Sequence, residues 1–236
     1  MGAYEQSLGL ATVNDLAYYD ANFLVSQYDM NDASGSPQDS IGTNHLTVSG
    51  SPTYSATGIN GDAITKPATT YFYLQSANLC PDATEDFFVH FFFQTTTSGT
   101  NNLFAYLTAT GSTANPNVFF QSNGDNELRV VVQNATVYDS WGYPGIDRTT
   151  GGFHSYGIGR KILDDGTAEY SAYLNGLLVS MGYQATPTDL SSNYFILGRS
   201  VSSTGAAGEV DECRVYRGVG AMPNQASITE LANLYA

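Results

Sequence analysis

Apolar and polar residues alternate with a period of two through most of this chain, and that period belongs to strands. Two alternating runs meet at Asn175-Gly176, between Ala168 and Val179. Asn-Gly is the pair that most readily takes the two positive φ angles of a type I′ turn, so the spacing predicts a tight hairpin. Tyr170, Ala172 and Leu174 share one face of its ascending strand, while Leu177, Val179 and Met181 share a face of the return; one face of this sheet is expected to be buried. Phe195, Leu197 and Arg199 alternate with Ile196 and Gly198, and Val210 to Tyr216 forms another half-buried strand behind a Gly205-Ala-Ala-Gly208 loop. Val118-Phe-Phe-Gln121 and Glu127 to Gln133 flank Ser122-Asn-Gly-Asp-Asn126, which predicts a second hairpin with a longer loop. Phe87-Phe-Val-His-Phe-Phe-Phe93 is apolar on both faces except at His90, the pattern of an interior strand covered on each side.

A helical period shows only near the ends. Ser227-Ile-Thr-Glu230 reads as a capping box, with Ile228, Leu231, Ala232 and Tyr235 as the apolar stripe of a short closing helix. Thr12-Val-Asn-Asp15 before Leu16-Ala-Tyr-Tyr19 predicts a short helix or turn. The expected class is therefore all-β, and 236 residues suit one large sandwich, since such folds reach this length as single domains.

Composition narrows the partners. With 17 Tyr, 12 Phe and 24 Gly but only 13% charged residues, the chain has what short strands and polar turns need. A formal charge of −14, with Lys66 and Lys161 the only lysines, gives no cationic footprint for phosphate backbones or anionic lipid. Neither nucleic acid nor membrane is expected as a partner. Met1 to Leu10 lacks the basic start and apolar run of a secretory peptide, no 18-residue apolar stretch is present, and Gln6 stands where a myristoylation motif needs Ser or Thr. Cys80 and Cys213 are open to one bridge, but a small buried thiol is the preferred reading of Cys213.

The collinear order of these pieces resembles the laminin-G-like members of the concanavalin A-like lectin and glucanase superfamily. The matching segments are Phe153-His154, Tyr173-Leu-Asn-Gly-Leu-Leu-Val179, Ile196-Leu-Gly198 and Gly208-Glu-Val-Asp-Glu-Cys-Arg-Val-Tyr216, preceded by Leu24 to Tyr28, Asp39-Ser-Ile-Gly42, Leu46 to Gly50, Pro52-Thr-Tyr54 and Gly58-Ile-Asn-Gly61. The resemblance implies a two-sheet antiparallel jelly-roll sandwich over residues 23–236 with a short C-terminal helix, and an aliphatic core position at Cys213. Residues 1–22 fall outside it as an N-terminal arm. Tyr4, Leu8, Leu10, Val13 and Leu16 make that arm apolar enough to dock on its own domain or on a neighbour.

Laminarinase-like hydrolases of this superfamily carry Glu-x-Asp-x-Glu or Glu-x-Asp-x-x-Glu on one strand, which sets nucleophile, helper and acid on one face. Glu209-Val-Asp211 begins that pattern, but Cys213 and Arg214 occupy the positions of the acid. No catalytic residue is assigned, and Asp211 is expected to bond loop backbone. Tyr138, Asp139, Trp141, Tyr143 and Asp147 mix flat rings with carboxylates among Gly and Pro, a set suited to sugar faces and hydroxyls. They are the expected glycan site. Asp29, Asp32, Asp39 and Asp211 are candidate ligands of a structural calcium, the only cofactor considered, although no EF-hand spacing is present. An adhesive type of fold without a leader, carrying an extra arm, suggests a bacteriophage virion surface protein, either a capsid decoration or a fibre component. Its partners would be virion structural proteins or further copies of itself, with glycans as a possible ligand. The alternative is a free or secreted, hence extracellular, carbohydrate-binding lectin module, and a laminarinase-like glycoside hydrolase ranks last.

Overall fold

Strands that alternate in this way bury their apolar faces by packing sheet on sheet, and the computed structural model shows that solution. It describes residues 15–95, 101–108, 117–123, 127–133, 138–143, 152–198 and 205–235; at 55, 101, 102, 122, 123, 138–140 and 143 the description is of backbone. Helix α1 (Leu16–Phe23) leads into β1 (Leu24–Tyr28), β2 (Thr47–Ser49), β3 (Thr53–Thr57), β4 (Asp62–Lys66) and β5 (Tyr71–Gln75). The middle of the chain supplies β6 (Asp86–Gln94), β7 (Asn101–Leu107), β8 (Asn117–Asn123), β9 (Glu127–Gln133) and β10 (Tyr138–Tyr143). Then come β11 (His154–Ile162), β12 (Ala168–Leu174), β13 (Leu177–Gln184), β14 (Tyr194–Leu197), β15 (Gly208–Gly218) and α2 (Gln225–Ala232). The first sheet runs β13-β12-β11-β6-β15-β4-β3 with β1 added beside β15, and the second runs β10-β9-β8-β7-β14-β5-β2. The fold is thus the expected all-β, two-sheet antiparallel sandwich with a short C-terminal helix.

Between the sheets, Phe87, Val89, Phe91 and Phe93 of β6 meet Phe104 and Tyr106 of β7 and Phe195 and Leu197 of β14. Each such side chain stabilises the fold by roughly 1.5–3 kcal/mol through burial, so a core of this size holds without a staple. Cys80 and Cys213 are both free thiols within it, as the buried-thiol reading expects. Strand β6 is covered on its other face too. There Phe88, with Tyr173 of β12 and Tyr216 of β15, packs under Leu16 and Tyr19 of α1 and Ile228 and Leu231 of α2. His90 in the same strand is buried against Ser155, whose Oγ lies 2.8 Å from its Nε2, and burial pulls its pKa down to about 3. It is a satisfied core histidine.

The Asn175-Gly176 turn has both φ angles positive, at 50° and 76°, as the type I′ reading requires. The return strand corrects the sequence reading. A register shift between Ala172 and Tyr173 turns Ser180, Gly182 and Gln184 inward and leaves Leu177, Leu178, Met181 and Tyr183 exposed. Period-two alternation names two faces but not which one is buried, and the bulge makes that choice. The closing helix also starts earlier than the capping box predicts. Asn224 is its N-cap, with its side chain accepting from Ser227 N–H at 2.9 Å, while Ser227 is itself a buried first-turn residue.

At the other end Asp15 caps α1 by accepting from Tyr18 N–H at 2.9 Å. Asp20 then holds the helix to β15 through Arg214 (3.0 Å) and the Tyr216 hydroxyl (2.7 Å). Leu16, expected to serve assembly, is buried within its own domain at 4% exposure. Tyr4, Leu8, Leu10 and Val13 lie outside the described residues, as does Arg199. Among the described residues no helix is long and apolar enough to cross a membrane.

Candidate functional site

Both helices lie on the first sheet, and no described helix packs on the outer face of the second. Its cross-strand register sets Thr47, Tyr73, Ile196, Ala105 and Phe119 in one row across β2, β5, β14, β7 and β8. Tyr71, Ala105, Leu107 and Ile196 form a cluster on this face, with Tyr73, Phe119 and Tyr194 packed against it. The rings of Tyr71 and Tyr73 are 5.6 Å apart, and those of Tyr73 and Tyr194 are 6.2 Å apart. Tyr73 and Tyr194 are half-buried, so each keeps part of its surface in water. Exposed Thr47 and Gln75 and half-buried Ser49 border them, and Gln75 Nε2 donates to the Ser192 carbonyl at 3.1 Å. Because residues two apart on a strand share a face, Tyr71-x-Tyr73-x-Gln75 places two rings and an amide on one side of β5. The rings are tilted to one another, by 40° and 51°, and offer apolar faces rimmed by hydroxyl and amide groups. Sequence reasoning missed it, although Tyr71-x-Tyr73 was a signal in plain alternation.

The residues expected to hold a glycan lie elsewhere. Tyr138 to Tyr143 form strand β10. Trp141 stacks on Tyr170 at 6.1 Å and 15°, over Gly182, and its carbonyl accepts from Ser180 Oγ at 2.9 Å. Its ring therefore closes the seam between β10 of one sheet and β13 of the other. Tyr138, Asp139 and Tyr143 are described as backbone in that strand, and Asp147 lies outside the described residues. Any side chain at position 182 would have to enter the space of the indole ring. Gly182→Leu is expected to expel Trp141, shifting the emission of this sole tryptophan to the red and lowering stability by about 1–3 kcal/mol. Fluorescence and thermal melts of the variant check this.

Each of the four candidate calcium ligands accepts hydrogen bonds within the protein. Asp39 is buried and accepts from Ser26 Oγ (3.0 Å) and from the N–H groups of Gln27 (3.1 Å), Ile41 (3.3 Å) and Asn44 (3.1 Å). Asp29 accepts from Gln27 Nε2 at 2.7 Å, and Asp32 from Gln38 N–H at 3.2 Å. Asp211, fully buried, accepts from Ile59 N–H (2.7 Å), Asn60 N–H (3.2 Å) and Glu212 N–H (2.9 Å). Among the described residues no group of three or more His, Cys, Asp or Glu side chains is placed to hold a metal ion. Asp211 thus anchors the 58–61 loop, the role its strand context implies. Glu212 sits in the bulge of β15 at φ 43°, accepting from Asn60 Nδ2 at 2.9 Å, and Cys213 takes the core position.

Burial raises Asp211 to about 6 despite its three N–H donors, and burial raises Glu212 as well. A carboxyl that binds its proton more tightly folded than unfolded stabilises the fold most below about pH 4, and that contribution is lost as pH rises through about 6. Asp211→Asn is expected to flatten the pH dependence of unfolding between these values, by on the order of 1–3 kcal/mol. Denaturant titrations of both proteins at several pH values measure it.

No family model matches the chain, and no curated protein sequence matches it. Among solved structures it is similar to domain 4 of a GH43 extracellular arabinanase from Geobacillus stearothermophilus, in complex with arabinotriose. That likeness has a TM-score of 0.64 at 19% identity, over 89% of this chain and 98% of that one. The binding domain of Paraclostridial Mosquitocidal Protein 1 gives 0.70 at 11% identity, over 91% of this chain and 52% of that one. A Ruminococcus gnavus IT-sialidase CBM40 bound to α2,3 sialyllactose gives 0.50 at 13% identity, over 65% of this chain and 83% of that one. At such identities the likeness establishes the sandwich fold.

Proposed function

We propose that this chain is a non-catalytic carbohydrate-binding module that seats an oligosaccharide on the outer face of its second sheet, at Tyr73 and Tyr194. The observation that carries the reading is the tyrosine series itself, three rings with successive centroid separations of 5.6 and 6.2 Å on the sheet that neither helix covers. Aromatic faces pack on the apolar faces of pyranose and furanose rings, while Thr47, Ser49 and Gln75 supply donors and acceptors for the hydroxyls. Two of the three structural neighbours named above hold an oligosaccharide, which supports a similar use of the sandwich here. None of the three is a virion protein, so the virion setting gains nothing from them. Glu209 and Asp211 add no support for hydrolysis, because Asp211 is committed to the 58–61 loop. The test is the folded protein on an immobilised panel that includes arabinan and sialylated oligosaccharides. Saturable binding to at least one glycan class is expected, and a blank panel overturns the reading.

A further inference from the structure

The two helices cover the outer face of the first sheet around Phe88, Tyr173 and Tyr216. Gln94 stands at the far end of β6 from Phe88, roughly 20 Å away at about 3.3 Å per residue. There the register sets Thr53, Thr65, Glu209 and Gln94 opposite one another across β3, β4, β15 and β6. Residues paired in this way share a face, and their chain neighbours Ile64, Val210 and Phe93 belong to the core between the sheets, so the row faces outward. The four residues line a cavity of about 360 Å³, a volume within the roughly 300–1,000 Å³ range of small-molecule sites. Lys66 borders the same cavity, but its amine turns the other way, between the sheets, where it donates to the Ala206 carbonyl and lies 6.0 Å from the centroid of the Phe93 ring. Glu209 is therefore the charged group of the row. It is half-buried, yet among the described residues it joins no hydrogen bond and no ion pair.

We propose that this row is a second ligand site, separate from the tyrosine series, that holds a protonated amine bearing hydroxyl groups, such as an amino sugar. Glu209 accepts from the ammonium, while the hydroxyls of Thr53 and Thr65 and the amide of Gln94 meet the ligand's hydroxyls. A carboxylate partly withdrawn from water needs a strong donor in exchange for what it loses, and a hydrogen bond from a charged donor is roughly twice as strong as one from a neutral hydroxyl. The neighbours of Glu209 in the row are neutral, so the cation must come with the ligand. An anionic ligand would meet both this carboxylate and a chain whose formal charge is −14. A purely apolar one would leave four polar side chains facing it without partners.

Glucosamine and glucose are the probes, because they differ by one ammonium in place of one hydroxyl. Each is titrated into the intact, isotope-labelled protein at about pH 6.5, above the ordinary carboxylate range and below that of an amine, and backbone amide shifts are followed by NMR. Glucosamine is expected to shift the amides of Thr53, Thr65, Gln94 and Gly208 saturably, and glucose to bind at least about tenfold more weakly. Glu209→Gln, shown to be folded by circular dichroism, is expected to weaken glucosamine at least about tenfold. Asp164→Asn removes the same charge from the exposed turn after β11, which lies beside Asp86 at the other end of β6, and is expected to leave the affinity unchanged. Absence of saturable shifts at tens of millimolar glucosamine overturns the inference, as does equal affinity for glucose or undiminished affinity in Glu209→Gln. Shifts confined to β5 and β14 overturn it too, while leaving the tyrosine site standing.

Discussion

Replacing Arg160 by Met is expected to lower the melting temperature by roughly 6–20 °C, the largest stability loss of any single change considered. Arg160 lies in β11 with its side chain wholly buried. Its Nε donates to the Glu85 carbonyl at 3.0 Å and one Nη to the same carbonyl at 2.6 Å, while further donors reach the carbonyls of Asp82 and Thr188. The guanidinium also lies over the Phe87 ring, 5.5 Å from its centroid. One side chain thus ties β11 to the 82–85 loop and to the segment before β14. Methionine fills a similar volume but leaves the buried Thr188 carbonyl and the partly buried carbonyls of Asp82 and Glu85 without their donor, at up to about 1–3 kcal/mol each. Partial relaxation brings the total to about 3–5 kcal/mol, and a chain of this length loses about 2–4 °C per kcal/mol. Arg160→Lys keeps the charge but replaces a fork by a single point, so an intermediate loss is expected. Differential scanning calorimetry of the two variants orders them, and a shift under about 2 °C for Arg160→Met contradicts this account of the loop anchor.

The second large effect falls on binding. Tyr73 stands in the middle of the tyrosine series, with Tyr71 on one side and Tyr194 on the other. Removing its ring takes away a stacking surface and loosens the two rings that lean on it. Tyr73→Ala is expected to weaken the bound oligosaccharide at least about tenfold, equivalent to about 1.4 kcal/mol. Tyr73→Phe keeps the stacking face and is expected to cost much less, which separates ring contact from the hydroxyl. Tyr194→Ala, at the edge of the series beside Gln75, is expected to fall between them. Trp141→Phe should leave affinity unchanged, because that indole is occupied by Tyr170 and the seam between the sheets. Equilibrium binding of the four variants reads this series directly.

What alternation could reveal here were the strands themselves: the Asn175-Gly176 hairpin, the doubly covered Phe87 to Phe93 strand and the β8–β9 pair follow from period, turn chemistry and length. The inner face of β13 did not follow. Leu177, Val179 and Met181 are the apolar choice on any scale of hydrophobicity, yet Leu177 and Met181 are exposed, only Val179 packs partly on the core, and Ser180 and Gly182 face inward because a bulge shifts the register and an indole needs the space. The anchoring by Arg160 was equally hidden, since its partners are backbone carbonyls more than twenty residues away in both directions and carry no side-chain signature. The tyrosine series depends on strand order. Tyr73 and Tyr194 become neighbours only because β14 inserts beside β5, a placement that neither strand's own sequence encodes. Trp141 drew the sequence reading because a lone tryptophan among Gly, Pro and Asp looks displayed, whereas strand pairing with β9 delivers it to the seam.

The central claim, that the outer face of the second sheet is the glycan site, meets its most direct test in isothermal titration of the oligosaccharide found on the panel. Wild type and a Tyr73→Ala/Tyr194→Ala double variant are compared, with circular dichroism to establish that both are folded. One saturable site in the wild type and affinity reduced by about a hundredfold or more in the folded double variant is the predicted result. Undiminished affinity in the folded double variant would contradict it and move the site off this face.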